Sequence, residues 1–392
     1  MIEKPSQQQI EQRTNTLLKL HDEPASENLQ AYFKRLEEGS PIWGIDTFIE
    51  GAKYLANLIG PEREKYYDKP LKGLHYATSF TELWNQAYPQ QPITVWDQDI
   101  RHQCPPSWSY EFREHRWVLS YQGEAPLSQG LNEFLQGPST LDCGMYSQFL
   151  LWMAMRYIIG DGLFDKTFVF KKKEFILTPT WDEPMTGVGT AGSLLYPFYD
   201  DPRYVTTKRS RIQTRTVFNY PTYLAKHPGG AGRLHNVTEI DGYNIIFDPG
   251  APQNILSTIA LDERFMQVYN APRSSTDLEK VWLYTIFPEI VHPDFAPKSW
   301  GDLAEEIKRY ADHTLDETKW KASRVEREGE AHGLHLIFNF QRLVRCLEET
   351  NDEHQSGATD VFSRARKMKY DDYLLGVRSQ LSSLERRLQT ET

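Results

Sequence analysis

The sequence predicts an α+β protein: a cysteine-bearing helix on an antiparallel sheet, with helical N- and C-terminal extensions. Three observations lead there. Met145 to Ile159 is apolar almost without interruption, the mark of a helix buried on all sides. His235 to Asp248 holds two runs of strand-forming residues around Asp241-Gly242, a strong two-residue turn. Both ends of the chain carry charged stretches whose apolar residues recur at three- and four-residue steps.

Taken in order, Leu17, Leu18 and Leu20 begin an apolar stripe that Leu29, Tyr32, Phe33 and Leu36 continue, with Pro24 between two helices. A third helix is expected from Asp46 to Ile59, stopping before Gly60-Pro61. Residues 61–125 read as irregular and rich in aromatics, including Trp96, Trp108 and Trp117. Strand pieces are expected at Thr94–Trp96 and Arg116–Leu119. Gly137-Pro138-Ser139-Thr140 breaks the chain before the apolar helix, and Gly160-Asp161-Gly162 ends it. Thr167–Phe170, Glu174–Thr178 and Ile212–Phe218 read as strands, the last with apolar and polar residues alternating. Residues 180–205 are punctuated by Gly and Pro and read as a long loop. After residue 275 helices are expected at Asp302–Tyr310, Trp320–Cys346 and Val361–Leu388.

This divides the chain into a helical, aromatic-rich region over 1–125, a core over 126–275 with an insertion at 165–220, and a helical region over 276–392. Hydrophobic residues at 39% and aromatics at 13% supply a real core and exclude wholesale disorder. A formal net charge of −10 argues against nucleic acid as a partner, because phosphate binding needs clustered Lys and Arg. The three cysteines, Cys104, Cys143 and Cys346, are too few and too odd for a disulfide framework, so reduced thiols are expected. The polar start Met1–Gln8 lacks the apolar stretch of a secretory signal, and no run approaches the ~18 to 20 apolar residues of a membrane span. The location expected is cytosolic, either the cell's own cytosol or that of a host receiving the chain as an effector. Asn236-Val237-Thr238 matches a glycosylation site and is read as accidental in that setting.

The chemistry centres on three residues. Cys143 lies where the Gly-Pro-Ser-Thr stretch meets the apolar helix. A helix N-terminus lowers a thiol's pKa and offers backbone N–H groups to an oxyanion. His235 and Asp248 stand thirteen positions apart around the two-residue turn, so the hairpin pairs Asn236 with Phe247 and sets His235 opposite Asp248. Cross-strand partners lie ~5 Å apart, within reach of an imidazole–carboxylate hydrogen bond. Thiol, imidazole and carboxylate are the parts of a thiol nucleophile: the sulfur attacks, the imidazole moves the proton and the carboxylate orients the ring. Taken alone, Cys143 reads more readily as a buried structural thiol; the hairpin's alternative, a surface turn with ordinary polar ends, is the less favoured once Cys143 is set beside it.

The Cys143 helix followed by His-x-x-x-Glu-Ile-Asp-Gly-Tyr-x-x-x-x-Asp-Pro resembles the transglutaminase-like branch of the papain-like cysteine enzymes. The matched residues are Cys143, His235, Glu239, Asp241-Gly242, Asp248 and Pro249, and the likeness covers roughly residues 135 to 255. The chain departs from the pattern twice. Asn236-Val237-Thr238 stands where many members have an aromatic residue, and the ninety-two positions from Cys143 to His235 exceed those of compact members. The resemblance implies a papain-like catalytic core over 126–275 and acyl transfer through a thioester, with a protein as substrate. It also suggests Gln136 as an oxyanion donor, with Gln129 and Trp117 as competitors. Deamidation or transamidation of a protein glutamine is the activity expected. A papain-like protease and a non-catalytic binding scaffold with a degenerate triad are the rivals.

No cofactor and no metal are expected. His102-Gln103-Cys104 has no second ligand pair, and Gly229-Gly230-Ala231-Gly232 lacks the Lys-Ser/Thr of a phosphate loop. That loop reads instead as a close-approach or flexible loop beside the site. His332, His335 and Glu328 read as a solvated or partner-facing surface, and Lys171-Lys172-Lys173 as a turn. Leu374, Leu375, Val377, Leu381, Leu384 and Leu388 read as a packing helix or a partner-binding coil, so a protein partner is expected through the helical extensions.

Overall fold

In the computed structural model the residues described are 44–62, 104–113, 116–136, 141, 143–178, 190–201, 211–230, 232–248, 253–274, 300–323, 335–352 and 358–390, with isolated positions at 31, 34, 36–38, 277–278, 280–281 and 284. Among them the chain is α+β, with two antiparallel sheets.

The elements in order are α1 (Ile45–Glu62), β1 (Trp108–Arg113), β2 (Arg116–Tyr121), α2 (Leu127–Gln136), α3 (Cys143–Thr167), β3 (Ile176–Leu177), α4 (Ala191–Leu195), β4 (Tyr199–Asp200), β5 (Ile212–Phe218), α5 (Tyr223–Lys226), β6 (Leu234–Ile240), β7 (Tyr243–Ile245) and β8 (Ile255–Ser257). There follow α6 (Thr258–Asn270), α7 (Trp300–Arg309), α8 (Glu317–Ala322), β9 (His335–Phe338), α9 (Phe340–Asp352) and α10 (Ala358–Thr390). The small sheet runs β1-β2-β3 and the large one β4-β9-β5-β6-β7-β8.

Helix α3 is the centre of the molecule. Its side chains are buried on every face, as an apolar run without amphipathic periodicity requires. Trp152 is fully buried among Phe164, Phe168, Phe170, Phe175 and Phe362, and its indole N–H donates to the Ala191 carbonyl. The apolar helix ends at a kink at Gly160, at φ 70° and ψ 162°, as expected, and a second helical segment follows directly to Thr167. Across the kink the buried Arg156 donates to Asp161 at 2.5 and 2.6 Å and to Asn132 of α2 at 2.5 Å. The ion pair draws the chain back into a last helical segment.

The large sheet packs on both sides. Ile212, Ile240, Ile245 and Phe338 face the cluster built on α3 and α1. Val217, Val237 and Ile246 face Leu261, Phe265 and Tyr269 of α6, with Trp320 of α8 beyond. This follows from the period of two along a strand.

Several expected elements differ from those observed. The helix expected to stop before Gly60-Pro61 runs to Glu62, since Gly60 has no Cβ to collide with the proline ring. Trp108–Arg113, inside the stretch read as irregular, is a strand paired with β2 from Trp108↔Tyr121 to Arg113↔Arg116. Thr167–Phe170 is not a strand: Thr167 closes α3, and Phe168 and Phe170 pack on Trp152. Leu127–Gln136 and Thr258–Asn270 are helices not foreseen. Among the described residues, the single helix expected over Trp320–Cys346 is instead the end of α8, β9 and the start of α9. The strand among them pairs with both β4 and β5, partners invisible to local periodicity. The lysine run is a turn, with Lys173 at φ 63°. The helices read before residue 31, the strand at 94–96 and the break at 137–140 lie outside the described residues.

Candidate active site

Cys143 opens α3 and is partly exposed. Cys104 is partly exposed as well and Cys346 is buried; burial pushes Cys104 up to about 11 and Cys346 up to about 12, and their sulfurs donate to the carbonyls of Trp108 and Val361. Only a thiol with some access and a helix N-terminus behind it suits nucleophilic work, and among the three that is Cys143.

The first turn of α3 lies on the start of β6. The Ser147 hydroxyl lies 2.9 Å from the Cys143 carbonyl and 3.3 Å from that of Asn236. The Asn236 side-chain amide N–H points to the Cys143 sulfur at 3.8 Å. Its carbonyl accepts from the Thr216 hydroxyl at 3.0 Å, which fixes the amide with its donors toward sulfur.

The hairpin has the register its sequence specifies. Asp241 at φ 51° and Gly242 at φ 79° form the turn, and β6 pairs with β7 from Ile240↔Tyr243 to Thr238↔Ile245. Continued three residues, that register sets His235 opposite Asp248, and the two are 3.7 Å apart, Nε2 to Oδ2, both buried. Arg264 of α6 grips the same carboxylate with Nε at 2.8 Å and Nη2 at 3.2 Å. The Phe265 ring lies 5.1 Å from the imidazole.

His235 and Cys143 therefore lie on opposite sides of β6. Successive strand residues point to opposite faces. His235 shares the α6 face with Val217 and Val237, and Asn236 shares the α3 face with Thr216 and Thr238. The structure brings His235 and Asp248 together, and it puts the amide of the next residue, rather than the imidazole, against the sulfur.

Gln136 is the last residue of α2, with its side chain exposed. Gln129 is exposed on the same helix and donates to Glu133 at 3.2 Å, while Trp117 lies on β2. Asp142 lies outside the described residues. Two site residues escaped sequence reasoning. Alternation along the strand was a usable signal for Asn236. Nothing in the sequence marks Arg264, which α6 delivers from sixteen residues beyond Asp248.

The glycine loop before β6 is held closely. Gly230 and Gly232 have φ of 76° and 93°, and a Cβ on Gly232 would come within 2.6 Å of Val268. The Gly229 N–H donates to Asp277 at 2.9 Å, so it cradles no phosphate here. Buried His227 joins Asp277 Oδ2 at 3.0 Å through Nδ1 and the Tyr269 carbonyl at 2.9 Å through Nε2. Both ring nitrogens thus face oxygen atoms.

Among the described residues no group of three or more His, Cys, Asp or Glu could hold a metal ion, and no helix is long and apolar enough to cross a membrane. His102, Gln103, His332 and Glu328 lie outside the described residues, while His335 sits on β9, 2.7 Å from the Gln213 amide oxygen. The chain matches no family model, no curated protein and no solved structure.

Proposed function

We propose that the chain is a cysteine-dependent acyl-transfer enzyme of the transglutaminase-like, papain-fold type, acting on a protein glutamine carboxamide. One observation carries the reading. The accessible thiol that opens α3 touches Asn236, and the residue just before Asn236 is paired with Asp248 across the hairpin. The thiol and the imidazole–carboxylate pair thus lie at neighbouring positions of one strand, on its opposite faces, in the chain order the resemblance implies.

In this reading Cys143 attacks the carboxamide carbon as thiolate, stabilised by the helix N-terminus and the Asn236 amide. The C–N bond breaks, ammonia leaves with a proton from the His235 imidazolium, and a thioester remains. Water then yields glutamate, or a primary amine yields a new amide, and the thiol is restored. Asp248, held by Arg264, orients the ring.

The proton transfer requires His235 to come round to the α3 face. The pairs Phe218↔Leu234 and Val217↔His235 end the β5–β6 ladder, and the glycine loop precedes them. Such a movement breaks both pairs, the buried His235–Asp248 contact and the packing on Phe265, a cost of roughly several kcal/mol that bound substrate has to supply.

The opposite-face arrangement also favours a second reading. A scaffold in which His235, Asp248 and Arg264 form a structural cluster needs no such movement. Alkylation by iodoacetamide across pH separates the two. A working relay makes the Cys143 rate fall on His235→Ala, roughly tenfold near neutral pH, with its midpoint moving up. A rate and midpoint unchanged by His235→Ala would leave the scaffold. Incubation of cell lysate with a labelled amine tests the chemistry. Labelled or deamidated glutamines that disappear in Cys143→Ala support glutamine chemistry, whereas new N-termini would replace it with proteolysis.

A further inference from the structure

We propose that the second half of α10 is a dimerisation coil, pairing in parallel with the same helix of a second copy of this chain. The first half of α10 is docked: Val361, Phe362 and Ala365 are buried in the central core, and Asp372 accepts from Arg342 and Arg345 of α9. Beyond Asp372 the helix runs on to Thr390. Gly376 lies one turn past Asp372 on the same side, and a Cβ there would meet nothing within 4 Å, so the helix has left the body by that point.

Tyr370 and Leu381, both exposed, lie on the side of the helix opposite Asp372. Tyr370, Leu374, Val377, Leu381, Leu384 and Leu388 follow steps of four, three, four, three and four. Those steps keep the apolar side chains on one narrow stripe, the width of the a/d seam of a left-handed coiled coil. Tyr370 lies two residues, or about 200°, around the helix from Asp372. Tyr370 is 62% exposed and Leu381 55% exposed. A helical end of this length gains most of its stability by burying an apolar face, and nothing in the described body covers this one.

Charge selects the occupant and its direction. With Leu374, Leu381 and Leu388 at a, the flanking e positions are Asp371, Arg378 and Glu385, and the g positions are Arg366, Tyr373 and Gln380. In a parallel, in-register pair each g residue meets the e residue five positions on in the partner helix. Arg366 then meets Asp371, Tyr373 meets Arg378, and Gln380 meets Glu385, with no like charges opposed. An antiparallel pair with the same overlap opposes Asp371 to Glu385 and Arg378 to Arg378. The seam is thus complementary to itself in one orientation only. Val361, Phe362, Ala365 and Asp372 fall at b, c and f, so the two bodies sit outside the coil and do not collide.

Light scattering on the full chain at tens of micromolar tests this. The expected mass is about twice the 45.7 kDa of one chain, falling to one chain in Leu381→Glu. Because Leu381 is more than half exposed, that variant keeps its fold, which circular dichroism checks. Val377→Cys on a Cys143→Ala background should form an interchain disulfide on mild oxidation, since d residues face each other only in the parallel pair. A wild-type monomer, whatever else its helix then captures, overturns the proposal. So does a dimer unaffected by Leu381→Glu, or one that Val377→Cys does not crosslink.

Discussion

Asp277 is a buried carboxylate that stays charged. Burial alone would raise its pKa, but the hydrogen bonds with His227 and with the Ser274 backbone and hydroxyl, together with the electrostatic attraction of His227, outweigh it and hold the carboxyl below its ordinary value. The sign of the pH effect follows. A carboxyl whose folded pKa lies below the unfolded one stabilises the protein above the unfolded value, and that stability is lost as pH falls through the folded one. The window opens near pH 4, the ordinary Asp range of about 3.9, and extends downward. Asp277→Asn should therefore flatten the acid limb of a plot of urea midpoint against pH. Parallel limbs for the two proteins would show that Asp277 carries none of the slope. The residue scale also holds what the sequence left unread at the candidate site. His235 and Asp248 were legible because thirteen residues and one turn fix their pairing. That Asn236 would be the one against Cys143 depends on which face of β6 meets α3, and burial of the whole sheet on both sides makes that a tertiary choice.

The β6–β7 hairpin is the element whose local chemistry is strongest. Gly242 sits at φ 79° with open space around it, so a side chain there meets backbone strain and no clash. Gly242→Ala should cost about 1–2 kcal/mol, read as a shift of the urea midpoint with an unchanged slope. A cost near zero would mean that the turn relaxes to another type. Asp241, its partner at positive φ, is tied to Arg211 at 2.8 Å and to Lys53 of α1 at 3.4 Å, which anchors the turn to the N-terminal helix. Elements of this kind are readable because their signals are local: a turn dipeptide, an alternation, an apolar run. β9 shows the limit. His335–Phe338 has too little pattern of its own to outweigh the helical spacing around it, and what makes it a strand is two neighbours about 120 to 140 residues earlier in the chain.

At the scale of the molecule, one buried cation ties distant segments together. Arg342 of α9, almost fully buried, donates to the Pro197 carbonyl at 3.0 Å, to Asp200 of β4 at 2.8 Å and to Asp372 of α10 at 3.1 Å. Removing it takes one partner from each carboxylate and leaves Asp200 with Asn339 and Asp372 with Arg345, so Arg342→Ala should cost about 2–4 kcal/mol in urea unfolding. A loss below about 1 kcal/mol would mean that solvent replaces the guanidinium. The same residue holds α10 at the angle from which its free half projects. By itself the sequence determined the mixed class, the buried central helix and the hairpin register, because each rests on periodicity or turn chemistry within a short window. The tertiary structure alone decided which strands are neighbours, which face of β6 meets the thiol, and that Arg264 rather than a nearer residue grips Asp248. Those depend on the joint burial of segments far apart in the chain, where the free energy belongs to the contact and not to either segment.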